Sequence, residues 1–331
     1  MQKRTQLLLP LLSLVLVTIG EGLHARDVGV SGQRAQRRQL QAEPRSPVFW
    51  PDPSRSQSGW KVTKAALQYA RAWALKPTSS CYEPPGPPSK VFSLTIATMT
   101  AGLSQTVRPA ITMNRVLMAL EQGLRYCEFR SSMDFIRSPK WSKILHAKEA
   151  LYASKAVFFM DADALFTRFD VPLLRLLEEL CGGRDAMFTT EFGKAAYRMT
   201  DEEVDKVQDS VALNSGAFYL KAGTWSLRFL DLVYLEAPLS HFWGHGPSGF
   251  HDQAGIMHFR SLHLKEWREH VRVVHFRHFN GWRRTWKPSG VVFHVAGGTK
   301  VTNKYDGIVL PYAQRFNNNS GLAKHFMCRG P

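Results

Sequence analysis

Asp161 and Asp163 stand one residue apart at the end of an apolar run, Ala156–Met160, inside the stretch KAVFFMDADALFTRFD (155–170). Such a run is what a strand buried on both faces shows. Buried carboxylates are costly unless positive charge meets them, so Asp-x-Asp at a strand end points to a hard divalent cation. Open α/β sheets bind ligands at the carboxyl ends of their strands. Alternate residues of extended chain face opposite ways, so both carboxylates reach one ion only if the chain turns there. The triplet alone also suits a solvated turn; the apolar strand before it favours chemistry.

Four other places carry groups that pure structure does not call for. Asn214-Ser215-Gly216 interrupts an apolar extended run. Glycine permits close backbone approach there, and Asn and Ser offer hydrogen bonds to a sugar hydroxyl. A turn or bulge between strands is the bland alternative. His251-Asp252-Gln253 opens an apolar helical pattern, where Asp252 would by default be an N-cap. His294 ends VVFHV and is followed by Gly297, Gly298 and Lys300. Imidazole suits a cation, and backbone amides with an ammonium suit a phosphate. Lys143, in Trp141-Ser142-Lys143, puts a cation at a helix start, a favourable place for phosphate.

These groups need strands and helices in alternation to hold them, and the pattern supplies that. Strands are expected where VFSLTIATM alternates, at Arg125–Phe129, Ala156–Met160, Ala186–Glu191, Val211–Leu220, Val271–Phe276 and Val291–Val295. Helices are expected over Pro109–Leu124, Trp141–Ala153, Pro172–Leu180, Asp201–Gln208, Trp225–Leu235 and Phe250–Phe259. The fold class is therefore α/β.

In chain order, RSPKWSKILHAKEAL, FFMDADALF, VALNSGAFYLKAGTWSLRFLD, HDQAGI and FHVAGGTK resemble glycosyltransferase family 34. That family of nucleotide-sugar transferases includes plant xyloglucan xylosyltransferases and fungal galactosyl- and mannosyltransferases. The resemblance spans roughly residues 91–300, and the Asn-Ser-Gly segment followed by a tryptophan-led helix carries most of it. It implies a GT-A fold, one Rossmann-like nucleotide-sugar-binding domain with a mixed, mainly parallel central sheet flanked by helices, and retaining transfer of a hexose or pentose to a glycan hydroxyl.

Carried onto this chain, the resemblance implies Mn2+ held by Asp161, Asp163 and His294. Gly297 and Lys300 would meet the phosphates of a UDP- or GDP-linked donor, with Lys143 helping to neutralise them. Asp252 and Gln253 would lie by the donor sugar and the reacting carbon, Asn214 near the sugar or the acceptor, and Ser215 and Gly216 on the donor side. Two departures stand out. His251 occupies the place of a second acid before the Asp-Gln pair, and Lys300 is followed by Val-Thr-Asn rather than Pro and Cys.

The chain has 331 residues, 44% of them hydrophobic and 11% aromatic, and a net charge of +16. That is ample for a packed core. The charge could suit nucleic acid, but no zinc-finger spacing or RNA-recognition signature accompanies it, so no nucleic-acid partner is expected. Lys3 and Arg4 precede an apolar run from Leu7 to Ile19, a secretory signal pattern. The run is short for a spanning helix, which needs about 20 residues. A cleaved signal is favoured, and a type II anchor through residues 5–20 is the alternative. Either leads to the secretory lumen, with the Golgi expected. The reading divides the chain into residues 1–25 (signal or anchor), 26–89 (a basic, Pro-rich stem, partly disordered) and 90–331 (the catalytic domain). Cys81, Cys127, Cys181 and Cys328 could form up to two disulfides in three connectivities, and Asn318-Asn319-Ser320 is a glycosylation sequon.

Two rival classes remain. A haloacid-dehalogenase-type phosphatase also places Asp-x-Asp after an apolar strand, but Leu165 stands where it has Thr or Val. A non-catalytic glycan-binding protein on the same fold would be expected to have lost a metal ligand.

Overall fold

Side chains of β4 (Ala156–Met160) alternate between two cores: Ala156, Phe158 and Met160 face one, Val157 and Phe159 the other. Period-two alternation with every residue apolar is what a strand covered on both faces requires. The computed structural model describes residues 64–75, 80–84, 91–134, 137–191, 196–237, 251–281, 290–295 and 304–318.

β4 lies at the centre of a seven-stranded sheet with β1 (Ser80–Tyr82), β2 (Thr95–Met99), β3 (Arg125–Phe129), β6 (Ala186–Thr190), β7 (Leu213–Lys221) and β8 (Val271–Val274), in the order β1-β3-β2-β4-β7-β6-β8. β3, β2, β4, β6 and β8 share one direction, and β1 and β7 oppose it. This is the mixed, mainly parallel α/β architecture expected of a GT-A domain. A two-stranded ribbon, β5 (Ala164–Phe166) with β9 (Val292–His294), sits at the carboxyl end of β4.

Helices cover both faces. Residues of α1 (Lys64–Ala74), α2 (Val107–Gln122) and α4 (Leu173–Cys181) enter the core with Phe158 and Met160. Those of α3 (Ser142–Leu151), α6 (Thr224–Glu236), α7 (His251–Leu262) and α8 (Leu264–His270) pack with Val157 and Phe159. The short α5 (Asp201–Lys206) starts with a capping box between Thr200 and Glu203. A third core forms where a π-helical turn, Lys304–Val309, and α9 (Leu310–Asn318) pack on Leu165 and Phe293 of the ribbon.

The fold reaches further toward the N-terminus than the boundary near Lys90 that composition suggests. Ala70 and Trp73 of α1 are buried in the main core, and β1 adds an edge strand held to β3 by the Cys81–Cys127 disulfide. Ala70 and Trp73 of α1 are thus used for packing rather than left in a stem. Cys181 is a buried free thiol that donates to the Arg184 carbonyl. The signal or anchor segment, residues 26–63, residues 319 and 320 of the sequon and Cys328 lie outside the described residues. Among the described residues no helix is long and apolar enough to cross a membrane.

Candidate active site

The chain turns as it leaves β4, as the Asp-x-Asp pattern requires. The Asp161 amide donates to the Gly216 carbonyl at 2.7 Å, and the Ala164 amide returns to the Asp161 carbonyl at 3.0 Å. β5 then pairs antiparallel with β9, placing Ala164 opposite His294. The turn and this pairing bring Asp161, Asp163 and His294 into one group, with ligand atoms within 4.8 Å of one another. His294 Nε2 lies 3.2 Å from Asp163 Oδ1.

His294 is oriented from behind. The Asn280 amide nitrogen bonds Thr189 Oγ1, which leaves the Asn280 oxygen to accept from His294 Nδ1. In the neutral imidazole the Nε2 lone pair therefore faces Asp163, the tautomer a metal ligand needs. Two carboxylates and an imidazole lone pair converging on one point fit a divalent cation such as Mn2+. With no cation bound and His294 protonated, the imidazolium and the Lys304 ammonium outweigh burial, which alone would raise the Asp163 carboxyl, and hold that group below the usual carboxylate range.

β7 supplies the opposite wall because it bulges. Phe218 pairs with Phe188 of β6, yet the next residue of β6, Thr189, pairs with Asn214, so Ser215, Gly216 and Ala217 leave that ladder. A bulge of this kind re-aims backbone and side chains next to a site. Side chains and the Asp161 turn take up the freed backbone groups. The Ser215 amide donates to Gln253 Oε1 at 3.3 Å, and the Gly216 amide to Asn214 Oδ1 at 2.9 Å. The Ser215 carbonyl accepts from Lys143 Nζ at 3.1 Å. Sequence reasoning treats Asn-Ser-Gly as either a bulge or a site; it is a bulge that builds the site.

Lys143, from α3, joins the Asp161–Asp163–His294 group to α7. Its ammonium lies 2.7 Å from Asp161 Oδ1 and 3.0 Å from Asp252 Oδ2, and Asp252 Oδ2 also accepts from Ser215 Oγ at 2.7 Å. Burial would lower the lysine, but the two carboxylates outweigh it and raise its pKa. The three ammonium hydrogens thus have three protein acceptors, Asp161, Asp252 and the Ser215 carbonyl. Asp252 lies within the first turn of α7, which begins at His251, so it is not an N-cap. α7 is seated by Gly255, where an added Cβ would come 2.5 Å from the Trp141 ring, and by a 2.7 Å bond between His251 Nδ1 and Ser138 Oγ.

Four further residues shape the site without a motif to mark them. Arg115, fully buried in α2, donates to the Thr98 hydroxyl and to the carbonyls of Asp161, Ala162 and Ala164, and so staples the Asp-x-Asp turn from beneath. Lys304 pairs with Asp163. Asn280 orients His294. Glu191, just past β6, accepts from Asn214 Nδ2 at 2.9 Å and Gln253 Nε2 at 3.4 Å. A lone Arg in a helical pattern and a Glu at a strand end read as ordinary surface charge, so only the fold reveals them. Gly297 and Lys300 lie outside the described residues. A cavity of about 530 Å3 lined by Arg168, Asp201, His275, Arg277 and His278 contains none of the Asp–Asp–His group and is separate from the site.

The profile of the galactosyl transferase GMA12/MNN10 family matches residues 97–315, which include every described site residue named above. No match is found among curated protein sequences. Among solved structures, the chain is similar to a glycosyltransferase involved in the glycosylation of the major capsid of PBCV-1, at 10% identity over 70% of this chain and 99% of that one, with a TM-score of 0.44. Galactosyltransferase LgtC in complex with donor and acceptor sugar analogs is similar at 13% identity over 69% and 95%, with a TM-score of 0.35. Mouse xyloside xylosyltransferase 1 is similar at 12% identity over 63% and 98%, also with a TM-score of 0.35.

Proposed function

Because the chain belongs to the galactosyl transferase GMA12/MNN10 family, and is thus a glycosyltransferase, we propose that it moves a hexose or pentose from a UDP- or GDP-linked donor to a glycan hydroxyl. The proposed transfer depends on Mn2+ and retains the anomeric configuration. The observation that carries this reading is the convergence of Asp161, Asp163 and His294 at the carboxyl end of β4, where α/β sheets bind their ligands.

Asp161, Asp163 and His294 would hold the cation. When bound, it neutralises charge growing on the departing nucleoside diphosphate. The protein's own part is positioning. Lys143 locks Asp161 to Asp252, and Ser215 Oγ fills another acceptor position on Asp252 Oδ2. A carboxylate so engaged is a poor nucleophile, and the Gln253 amide is a weak one. Both facts favour a front-face route. There the acceptor hydroxyl attacks as the carbon–oxygen bond to phosphate breaks, and the departing phosphate oxygen takes the hydroxyl proton. Lys300 and Gly297, beyond the residues described, remain the groups expected on the phosphates.

Residence in the secretory pathway, in the Golgi lumen as an anchored or secreted protein, is part of the proposal. Its support is the charged and apolar N-terminal pattern and the Cys81–Cys127 disulfide, since disulfides persist in oxidising compartments. The test is a panel of UDP- and GDP-sugars with Mn2+ and the purified full-length chain. Nucleotide release from one donor, with an unchanged anomeric configuration in the glycoside by NMR, supports the proposal. An inverted product contradicts the front-face route, and no release from any donor contradicts the donor assignment.

A further inference from the structure

The β7 bulge leaves two primary amides, Asn214 and Gln253, whose orientation decides whether a bound sugar meets oxygens or N–H groups. Each carbonyl oxygen is held by β7 backbone: Asn214 Oδ1 by the Gly216 amide and Gln253 Oε1 by the Ser215 amide. Each NH2 group turns to one oxygen, Oε2 of Glu191. Glu191 is itself fixed, because it follows β6 directly and its amide donates to the Ala212 carbonyl at 2.7 Å, closing the ladder beyond the bulge.

We propose that Glu191 is a positioning residue for transfer, one that acts through Asn214 and Gln253 by holding both amides with their oxygens on the β7 backbone. This deepens the glycosyltransferase reading and rests on it. An amide flips at little cost when nothing distinguishes its two ends. One carboxylate that accepts from both NH2 groups makes the flipped state unfavourable for both, since a flip would set oxygen against oxygen. Gln253 then presents N–H rather than carbonyl oxygen toward a donor sugar, which makes it a hydrogen-bond donor to the sugar and not a nucleophile.

Glu191→Asp keeps the charge but shortens the reach by one methylene. Glu191→Gln keeps an acceptor oxygen at full reach and loses the charge. The proposal predicts that Glu191→Asp lowers kcat for nucleotide release about tenfold or more, because misplacement near 1 Å at a transfer centre has effects of that size. The donor KM should stay within about threefold, as the lost interaction acts on the chemical step. Glu191→Gln should retain kcat within about fivefold. In a Gln253→Ala, Asn214→Ala background the Glu191→Asp change should have little further effect, as residues acting as a unit are non-additive.

The reverse order, with Glu191→Gln the more damaging, would show that the charge acts directly and would overturn the proposal. So would a fully additive loss, or a rise in KM at constant kcat. If the unaltered chain turns over no nucleotide sugar, the transferase reading fails first. Glu191 is then judged by side-chain amide NMR signals, assigned with Asn214→Ala and Gln253→Ala. Glu191→Asp must shift both NH2 signals; unmoved signals would overturn the positioning role independently of activity.

Discussion

The imidazole of His294 lies directly on Gly216: a Cβ added to Gly216 would sit 2.0 Å from His294 Cε1 and 2.8 Å from each ring nitrogen. Real Cβ atoms do not come so near, so no other L-residue fits unless the ring moves. Gly216→Ala should therefore displace His294, a proposed metal ligand, while leaving the folded core in place. We expect Mn2+ affinity to fall about 10–100-fold, the range seen when ligand support is lost. Isothermal titration with Mn2+ and far-UV circular dichroism read the two effects separately; unchanged affinity would place the ring elsewhere.

Arg115 predicts a stability effect at the same turn. Arg115→Met removes the donor to Thr98 Oγ1 and to the carbonyls of Asp161, Ala162 and Ala164, of which that of Asp161 keeps the Ala164 amide. Each buried group left unpaired costs about 1–3 kcal/mol, so a total loss of about 3 kcal/mol or more is expected in urea unfolding. A loss below about 1 kcal/mol would mean that the turn holds without it.

His146 gives the pH dependence. It is buried against Phe129 with Nε2 donating to the Ser131 carbonyl at 3.0 Å, and burial pushes its pKa down from 6.5 to about 4, partly offset by that bond. The folded pKa is depressed, so the unfolded chain takes up its proton first. Stability from this group is complete above pH 6.5 and falls as pH drops from 6.5 toward 4. Unfolding at pH 7 and pH 5 should differ by about 2 kcal/mol more in the unaltered chain than in His146→Gln. An equal difference in both proteins would remove His146 from the account.

The Cys81–Cys127 disulfide closes a loop with a sequence separation of 46 residues and ties the edge strand to β3. Replacing both cysteines by serine should lower stability by about 2–4 kcal/mol, read by chemical denaturation. Identical midpoints for the two proteins would contradict a structural role for the bridge.

Much of the site is legible in the sequence because it sits where patterns break. Asp161 and Asp163 end an unbroken apolar strand, Asn214-Ser215-Gly216 interrupts another, and His294 closes a third. The resemblance to glycosyltransferase family 34 is what anticipates that Asp161, Asp163 and His294 meet, and the β5–β9 ribbon brings that about. The sheet is legible for the same reason, since strands covered on both faces must be apolar throughout. Arg115, Asn280, Glu191 and Lys304 are not legible. Each acts through a contact between residues far apart in the chain, and no local spacing encodes such a contact. The role of α1 and β1 in the fold is also hidden, because the Pro- and Ser-rich chain around them suggests a stem.

The central claim is that the Asp161–Asp163–His294 group serves glycosyl transfer. Asp163→Asn tests it most directly, since it keeps the shape of a buried side chain and removes its charge. Nucleotide release from the preferred UDP- or GDP-sugar would be measured for both proteins with Mn2+, and for the unaltered chain with EDTA. The account predicts that release falls about 100-fold or more in Asp163→Asn and stops with EDTA, while both proteins melt cooperatively. Release that persists undiminished in Asp163→Asn, or in EDTA, would contradict it.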